Sequence, residues 1–160
     1  MKPAPFAYVT ASSTADAVNH LSASGREVKV LAGGQSLIPV LNMRMARPDV
    51  LVDITRIPEL RSIEVTASGE LRIGSAVRQV EVLEDRRVRE GWPGITTAIS
   101  HIGHPQIRAS GTVCGSLTHA DSSAELPAVA VLLGAVGAIF GALLAAIVYL
   151  VADWASMRRP

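Results

Sequence analysis

VKVLAGGQSLIPVLN, residues 28–42, joins a short strand to a helix through a glycine turn, and this unit decides the fold of the chain. Val28 to Leu31 has the β-branched, mostly apolar content of a buried strand. Ala32 to Ser36 interrupt that pattern, and SLIPVLNMRM then places apolar residues at roughly helical spacing, with Pro39 tolerable in the first helical turn. Val50 to Ile54 predicts a second strand. The segment therefore predicts a strand, a glycine turn, a helix and a strand.

The segments on either side predict further helices and a hairpin. Thr14 to Gly25 has a hydroxyl N-cap, Asp16 in the first turn and a glycine stop, which is typical of a helix. SIEVTASGELRIG (62–74) predicts a β-hairpin, and Val77–Val88 and Gly94–Ile102 predict two more helices. The inward side chains of the hairpin are expected to be Ile63, Val65, Leu71 and Ile73. The fold class is α+β with a small parallel start.

Composition excludes several functional classes. Lys and Arg total 15 against 14 Asp and Glu, a net charge of +1, so no basic surface for nucleic acid is indicated. Cys114 is the single cysteine, which excludes an internal disulfide and a tetrathiolate zinc or iron–sulfur site within these residues. Residues 1–10 lack the apolar core of a secretory signal, and a cytoplasmic location is expected.

The glycine turn LAGGQSL (31–37) is the first candidate binding site. Glycine allows an oxyanion to approach the backbone, and the amides at a helix start are unpaired donors at the positive end of the dipole. The turn therefore suits a phosphate. It matches neither common phosphate-loop motif, however, and Gly-Gly after a strand is more often a plain turn.

The second candidate is IRASGTVCGSLTHADSSAELPAV (107–129). Its glycines and small hydroxyl residues are suited to a pyrophosphate, and its carboxylates, Asp121 and Glu125, to ribose hydroxyls. Asp121 and Ser122 are also good helix caps, so a capped loop is the structural alternative.

Together these motifs carry a family resemblance. AGGQSLIPVLNMR…PDVLVDI and IGHPQIRASGTVCGSLTHADSSAELPAV are similar in order, spacing and wording to the FAD domain of molybdenum hydroxylase flavoprotein subunits, the carbon monoxide and xanthine dehydrogenase family. PAPFAYVTASSTADAVNHL and GELRIGSAVR also fit, so the likeness covers about residues 3–135. It implies a PCMH-type FAD-binding fold with a small amino-terminal α/β lobe and an incomplete second lobe.

The resemblance implies that FAD is the cofactor and that both turns bind its pyrophosphate. Asp121 and Glu125 are expected toward its ribose and adenine. Cys114 stands where many relatives have glycine, so either its side chain is expected to point away from the phosphates or the loop is expected to open slightly. The remaining implied contacts are Ala32, Gly33, Gly34, Gln35, Ser36 and Leu37, with Thr112, Val113, Cys114, Gly115 and Ser116.

No catalytic residue and no metal ligand are assigned. Flavin supplies the redox chemistry, so the chain needs only to bind and orient it. A zinc site is the alternative, but the spacing of its candidate ligands matches no known finger, and two of them lie within the flavin motifs. Those candidates are His101, His104, Cys114 and His119.

The resemblance also implies partners. In the family, electrons pass from a molybdenum-cofactor large subunit through a small subunit with two 2Fe-2S clusters to FAD, and then to an external acceptor. This chain is expected to be the FAD-carrying medium subunit. Two alternatives stay open: a truncated remnant, non-functional or membrane-associated, that no longer retains FAD, and a stand-alone flavin oxidase.

The tail differs in composition from the rest. Residues 1–135 are expected to form a partial FAD-binding domain and residues 136–160 an atypical hydrophobic tail. VGAIFGALLAAIVYLVA (136–152) is about 17 residues long, the short limit for a bilayer span. A carboxy-terminal hydrophobic helix is predicted, with possible membrane association through residues 136–152. A truncation or frame change is the other explanation.

Overall fold

A computed structural model describes residues 2–22, 25–139 and 148–153. Seven strands and eight helices follow one another within these ranges, with a short 3-10 helix at Pro58–Leu60. The strands are β1 (Ala7–Thr10), β2 (Val28–Leu31), β3 (Val50–Asp53), β4 (Ile63–Val65), β5 (Glu70–Ile73), β6 (Val136–Ile139) and β7 (Val148–Asp153). The helices are α1 (Thr14–Leu21), α2 (Leu37–Asn42), α3 (Gln79–Glu84), α4 (Arg86–Gly91), α5 (Pro93–His101), α6 (Pro105–Ser110), α7 (Val113–His119) and α8 (Glu125–Leu132).

The first sheet is parallel and has the order β1-β3-β2. Its central strand β3 is buried along its whole length, because both faces are covered. Strand β2, helix α2 and strand β3 confirm the predicted strand, turn, helix and strand. Helix α1 confirms the predicted helix before them, but its N-cap is Ser13 rather than Thr14 and it ends at Leu21, before Gly25. Strand β1 was not predicted.

The second sheet is antiparallel and has the order β4-β5-β7-β6. Strands β4 and β5 form the predicted hairpin. Leu71 and Ile73 are fully buried as predicted, but Val65 is 40% exposed, so its prediction as an inward residue is wrong. The first sheet packs on a hydrophobic core that includes Val52, Ile54 and Leu60. The hairpin packs on a second hydrophobic core, shared with α3, α4, α5, α7 and α8, which includes Leu71, Val82, Val88, Ile99 and Val113.

The structure divides one predicted helix into two and confirms another. The predicted helix Val77–Val88 is two helices, because Asp85 between them has an extended backbone. The Asp85 carboxylate accepts from the backbone N–H groups of Arg87 (2.8 Å) and Val88 (3.3 Å) and so starts α4. The helix predicted at Gly94–Ile102 is confirmed as α5.

The predicted carboxy-terminal helix is wrong for the part of the tail that the structure describes. Residues 136–139 and 148–153 form β6 and β7, and β7 pairs with β5 through Glu70↔Asp153 to Ile73↔Leu150. Residues 140–147 and 154–160 lie outside the described residues. Over the ranges that are described, no helix is long and apolar enough to cross a membrane.

Candidate functional site

The first glycine turn lies between the end of β2 and the start of α2. Gly34 has a φ of +73°, a left-handed conformation that favours glycine. Gly33 has a different constraint. A Cβ built there would lie 2.6 Å from the Ser110 carbonyl oxygen and 2.8 Å from the Thr112 nitrogen. The absence of a side chain at Gly33 therefore allows the first turn to touch the second.

Backbone amides are the free donors of the first turn. The N–H groups of residues 34–37 have no acceptor among the described residues. Ser36, at the N-cap position of α2, makes no side-chain cap hydrogen bond either. The Gln35 side chain turns back to donate to the Gly33 carbonyl at 3.3 Å. The turn thus presents a row of unpaired amides to a ligand.

The second turn, Gly111 to Ser116, starts a helix and is more firmly held. The Thr112 hydroxyl accepts from the Gly115 N–H at 3.1 Å and caps α7. Val113 donates to the Val77 carbonyl at 3.3 Å, and an isolated β-bridge joins Arg78 to Thr112. The segment that the sequence suggested to be a loop is therefore mostly helical, as α6 and α7.

The Cys114 thiol faces the core, as expected from the sequence. Cys114 is 1% exposed, and its Sγ donates to the carbonyl of Ile73 at 3.5 Å, at the end of β5. The cysteine therefore replaces glycine without placing its sulfur on the turn's amides.

Residues of both turns line one cleft with a volume of about 930 Å³. Volumes of this order are usual for cofactor sites. Among the predicted site residues, Val113 alone does not line the cleft, because its side chain is fully buried in the second core. The predicted residues that line it are Ala32, Gly33, Gly34, Gln35, Ser36, Leu37, Thr112, Cys114, Gly115, Ser116, Asp121 and Glu125.

The two carboxylates stand at the α7 to α8 connection. Asp121 follows Ala120, whose φ is +52°, and its Oδ1 accepts from the Ser123 N–H (2.9 Å) and hydroxyl (2.7 Å). These hydrogen bonds hold the pKa of Asp121 below its ordinary value, so the group is ionised at neutral pH. Asp121 therefore caps a turn, and α8 begins later, at Glu125.

The sequence interpretation missed several cleft residues. Lys29, on strand β2 before the first turn, also lines the cleft. Ser75, which follows β5, and Gln79, the first residue of α3, also line the cleft, and the sequence interpretation assigned neither of them to the site. Apolar walls come from Leu21, Val28, Val30, Val40, Ile102 and Ile107.

The predicted zinc alternative has its candidate ligands on separate elements. His101 ends α5, His104 precedes α6, and His119 ends α7. Within the described ranges, no group of three or more His, Cys, Asp and Glu side chains has a geometry that could hold a metal ion.

Comparison with known proteins identifies the family. A family model described as the FAD binding domain in molybdopterin dehydrogenase matches residues 4–141. The chain belongs to this family. The match extends past residue 135, where the sequence resemblance was expected to end.

Relatives of this FAD-binding domain are subunits of dehydrogenases. The chain is 44% identical over 135 residues to the 6-hydroxypseudooxynicotine dehydrogenase complex subunit alpha of Paenarthrobacter nicotinovorans, covering 84% of this chain and 45% of the relative. It is 35% identical over 131 residues to the carbon monoxide dehydrogenase medium chain of Hydrogenophaga pseudoflava, covering 82% and 45%. The chain thus spans less than half the length of these relatives.

A solved structure shows the same fold. The carbon monoxide dehydrogenase from Hydrogenophaga pseudoflava that lacks the Mo-pyranopterin moiety matches with a TM-score of 0.85 and 29% sequence identity. The match covers 96% of this chain and 60% of that chain. Such coverage reaches into the tail, which agrees with the finding that β6 and β7 belong to the second sheet.

Proposed function

We propose that the cleft of this FAD-binding domain holds FAD, with the pyrophosphate between the two turns. The observation that carries the proposal is the contact at Gly33, where the two turns meet beside one cleft that both of them line. Amides of residues 34–37 are the donors that a pyrophosphate needs. The N–H groups of Val113, Gly115 and Ser116 already donate to Val77 and Thr112, so the second turn fixes the position of the first. The Val113 side chain packs in the second core and supports the second turn, and we assign it no contact with FAD.

The carboxylates at the far end of the second turn suit the adenosine part of the cofactor. Asp121 is ionised and exposed, and Glu125 begins α8 beside it. A carboxylate accepts hydrogen bonds from two ribose hydroxyls, as acids do in other dinucleotide sites. We therefore assign Asp121 and Glu125 to the ribose and adenine side.

The chain's role is to bind and orient the cofactor. Bound FAD would accept and pass on electrons, and no side chain of this site is required to do so. We propose that the domain acts in a molybdenum-containing dehydrogenase, taking electrons from iron–sulfur clusters and delivering them to an external acceptor. Support comes from relatives that are named as subunits of dehydrogenases.

The partners follow from the same proposal. These residues contain one cysteine and cannot ligate iron–sulfur clusters, which need several thiolates. The clusters would lie on a 2Fe-2S small subunit and the molybdenum cofactor on a large subunit. The cytoplasmic location inferred from the sequence stays a prediction.

Flavin content tests cofactor binding. The purified full chain is expected to carry about one FAD, identified after release by denaturation and chromatography against FMN and riboflavin standards. A folded, colourless chain that also fails to take up added FAD would contradict the proposal.

Co-expression tests the partners. The tagged chain is produced together with a candidate 2Fe-2S subunit and a candidate molybdenum subunit from the same organism. We expect both to co-purify and the FAD to be reduced when the substrate of the large subunit is added. Isolation of the chain alone, with FAD bound, would contradict the partner assignment and leave the cofactor assignment intact.

A further inference from the structure

Two buried polar groups line the cleft without a protein partner. Ser75 and Gln79 are 2% and 4% exposed, and among the described residues neither Ser75 Oγ nor Gln79 Oε1 has a hydrogen-bond partner. Both side chains line the cleft proposed for FAD. Buried polar groups in native proteins are nearly always hydrogen-bonded, so an unpaired pair in one cleft calls for an explanation.

Both residues stand directly behind the second turn. The Gln79 backbone N–H donates to the Gly111 carbonyl at 2.8 Å, and a Cβ on Gly111 would lie 3.0 Å from Gln79 Oε1. Ser75 follows Gly74, whose carbonyl oxygen lies 3.8 Å from Cys114 Sγ. The Gln79 backbone is therefore fixed against Gly111, and Ser75 directly follows a residue whose carbonyl lies near Cys114.

The chemistry of the unpaired atoms selects the ligand group. An amide oxygen can only accept a hydrogen bond, so its partner must donate one. A phosphate oxygen cannot donate, whereas a sugar hydroxyl can donate to Gln79 and also pair with the Ser75 hydroxyl in either direction. In FAD the hydroxyl groups adjoin the pyrophosphate on both sides, as ribityl and ribose, which matches the position behind the second turn.

We infer that Ser75 and Gln79 form a hydroxyl-binding subsite for the sugar hydroxyls of the bound dinucleotide. This inference rests on the proposed binding of FAD. The glycine turns bind the charged pyrophosphate, and this uncharged pair forms hydrogen bonds with the sugar hydroxyl groups beside it. Gly111 makes room for the arrangement, since a side chain there would press on the Gln79 amide.

Titration of the unliganded full chain with FAD tests the subsite. Ser75→Ala and Gln79→Leu are each expected to weaken FAD binding about three- to tenfold, the usual effect of one neutral hydrogen bond. The thermal midpoint of the unliganded chain is expected to stay the same or rise, because each change removes a buried unpaired group. Gln106→Leu, the same change at an exposed position of α6, is the control and is expected to leave both quantities unchanged.

A parallel titration with ADP locates the hydroxyls. If the variants bind FAD more weakly but ADP normally, the subsite binds the ribityl hydroxyls. If they bind both FAD and ADP more weakly, it binds the ribose hydroxyls. Either result supports the subsite. Wild-type affinity for both probes in both variants would overturn it and leave water as the partner. A fall in the thermal midpoint of the unliganded variants, alongside their weaker FAD binding, would also overturn the subsite and would indicate a structural role for the two side chains. Failure of the wild-type chain to bind FAD would instead refute the proposed function itself.

Discussion

The two turns that line the cleft and meet at Gly33 are built in opposite ways. In the first, Ala32 to Leu37, no residue is buried, and the amides lack partners. In the second, Gly111 to Cys114 are all buried, Thr112 caps α7, and Val113 and Cys114 belong to the second core. The first turn therefore offers donors, while the second fixes where the ligand lies. Substitutions in the second should change stability and affinity together, and those in the first should change affinity alone.

Gly33 is the exception to this division, and its substitution is expected to have the largest effect. In Gly33→Ala the new Cβ meets only backbone atoms, at 2.6 to 2.8 Å, which cannot move aside cheaply. Overpacking of this kind costs about 1–3 kcal/mol, and the turns must separate. We expect FAD affinity to fall by about 100-fold or more, since both turns lose their relative placement.

Calorimetric titration and thermal unfolding of the same samples measure both effects. Gly94→Ala is the matched control, because a Cβ there meets nothing within 4 Å and lies near the start of α5. It is expected to leave affinity unchanged. Full FAD affinity in Gly33→Ala would show that the contact between the turns is dispensable.

Thr112→Val tests whether the second turn couples stability to binding. The change removes the cap of α7 and leaves the Gly115 N–H without its acceptor. A loss of about 1–2 kcal/mol in unfolding free energy is expected from denaturant titration. FAD affinity should fall with it by about tenfold, and Thr112→Ser should restore both. A stable variant with weakened binding would place Thr112 among the direct contacts instead.

Asp121→Asn removes charge from the acidic end of the site. We expect FAD affinity at neutral pH to fall about five- to tenfold, because a charged acceptor binds hydroxyls more strongly than an amide oxygen. Hydrogen bonds from Ser123 hold the pKa of Asp121 below its ordinary value, so the carboxylate persists at neutral pH and protonates only as the pH falls through that lowered pKa. Wild-type affinity should thus be flat near neutrality and decline only in acid, whereas the variant should lack this decline. Matching pH profiles would argue against the ribose role.

Ser36→Ala is expected to have the smallest effect. The Ser36 side chain makes no cap hydrogen bond, and the turn is proposed to bind through its amides. Affinity should change by less than about twofold and stability by less than about 0.5 kcal/mol. A larger loss of affinity at unchanged stability would assign the hydroxyl itself to the ligand.

The sequence predicted those elements that local patterns define. The unit around the glycine turn has a β-branched strand, a glycine break and a helical period, and the structure agrees with all three. Strand β1 was missed because it is short and mostly exposed, and it is held by pairing with β3 and by a hydrogen bond from Tyr8 to Asp53. Helix α7 was missed because its glycine and small hydroxyl residues have weak helix propensity.

The tail and the cleft walls depend on tertiary contacts. Residues 136–152 are uniformly apolar, so their pattern has no period that separates a helix from a strand. Residues 148–153 form a strand because they pair with β5, which lies far away in the sequence. Ser75 and Gln79 were not singled out from the sequence, because their place in the cleft follows from how the segment after β5 and the start of α3 pack beside the second turn.

Amide chemical shifts of the ¹⁵N-labelled chain during titration with FAD test the central claim most directly. If the two turns hold the pyrophosphate together, the largest shifts should appear in residues 33–37 and 112–116 and saturate in parallel at one FAD per chain. Tight binding of FAD with shifts at only one turn, or at neither, would contradict the account.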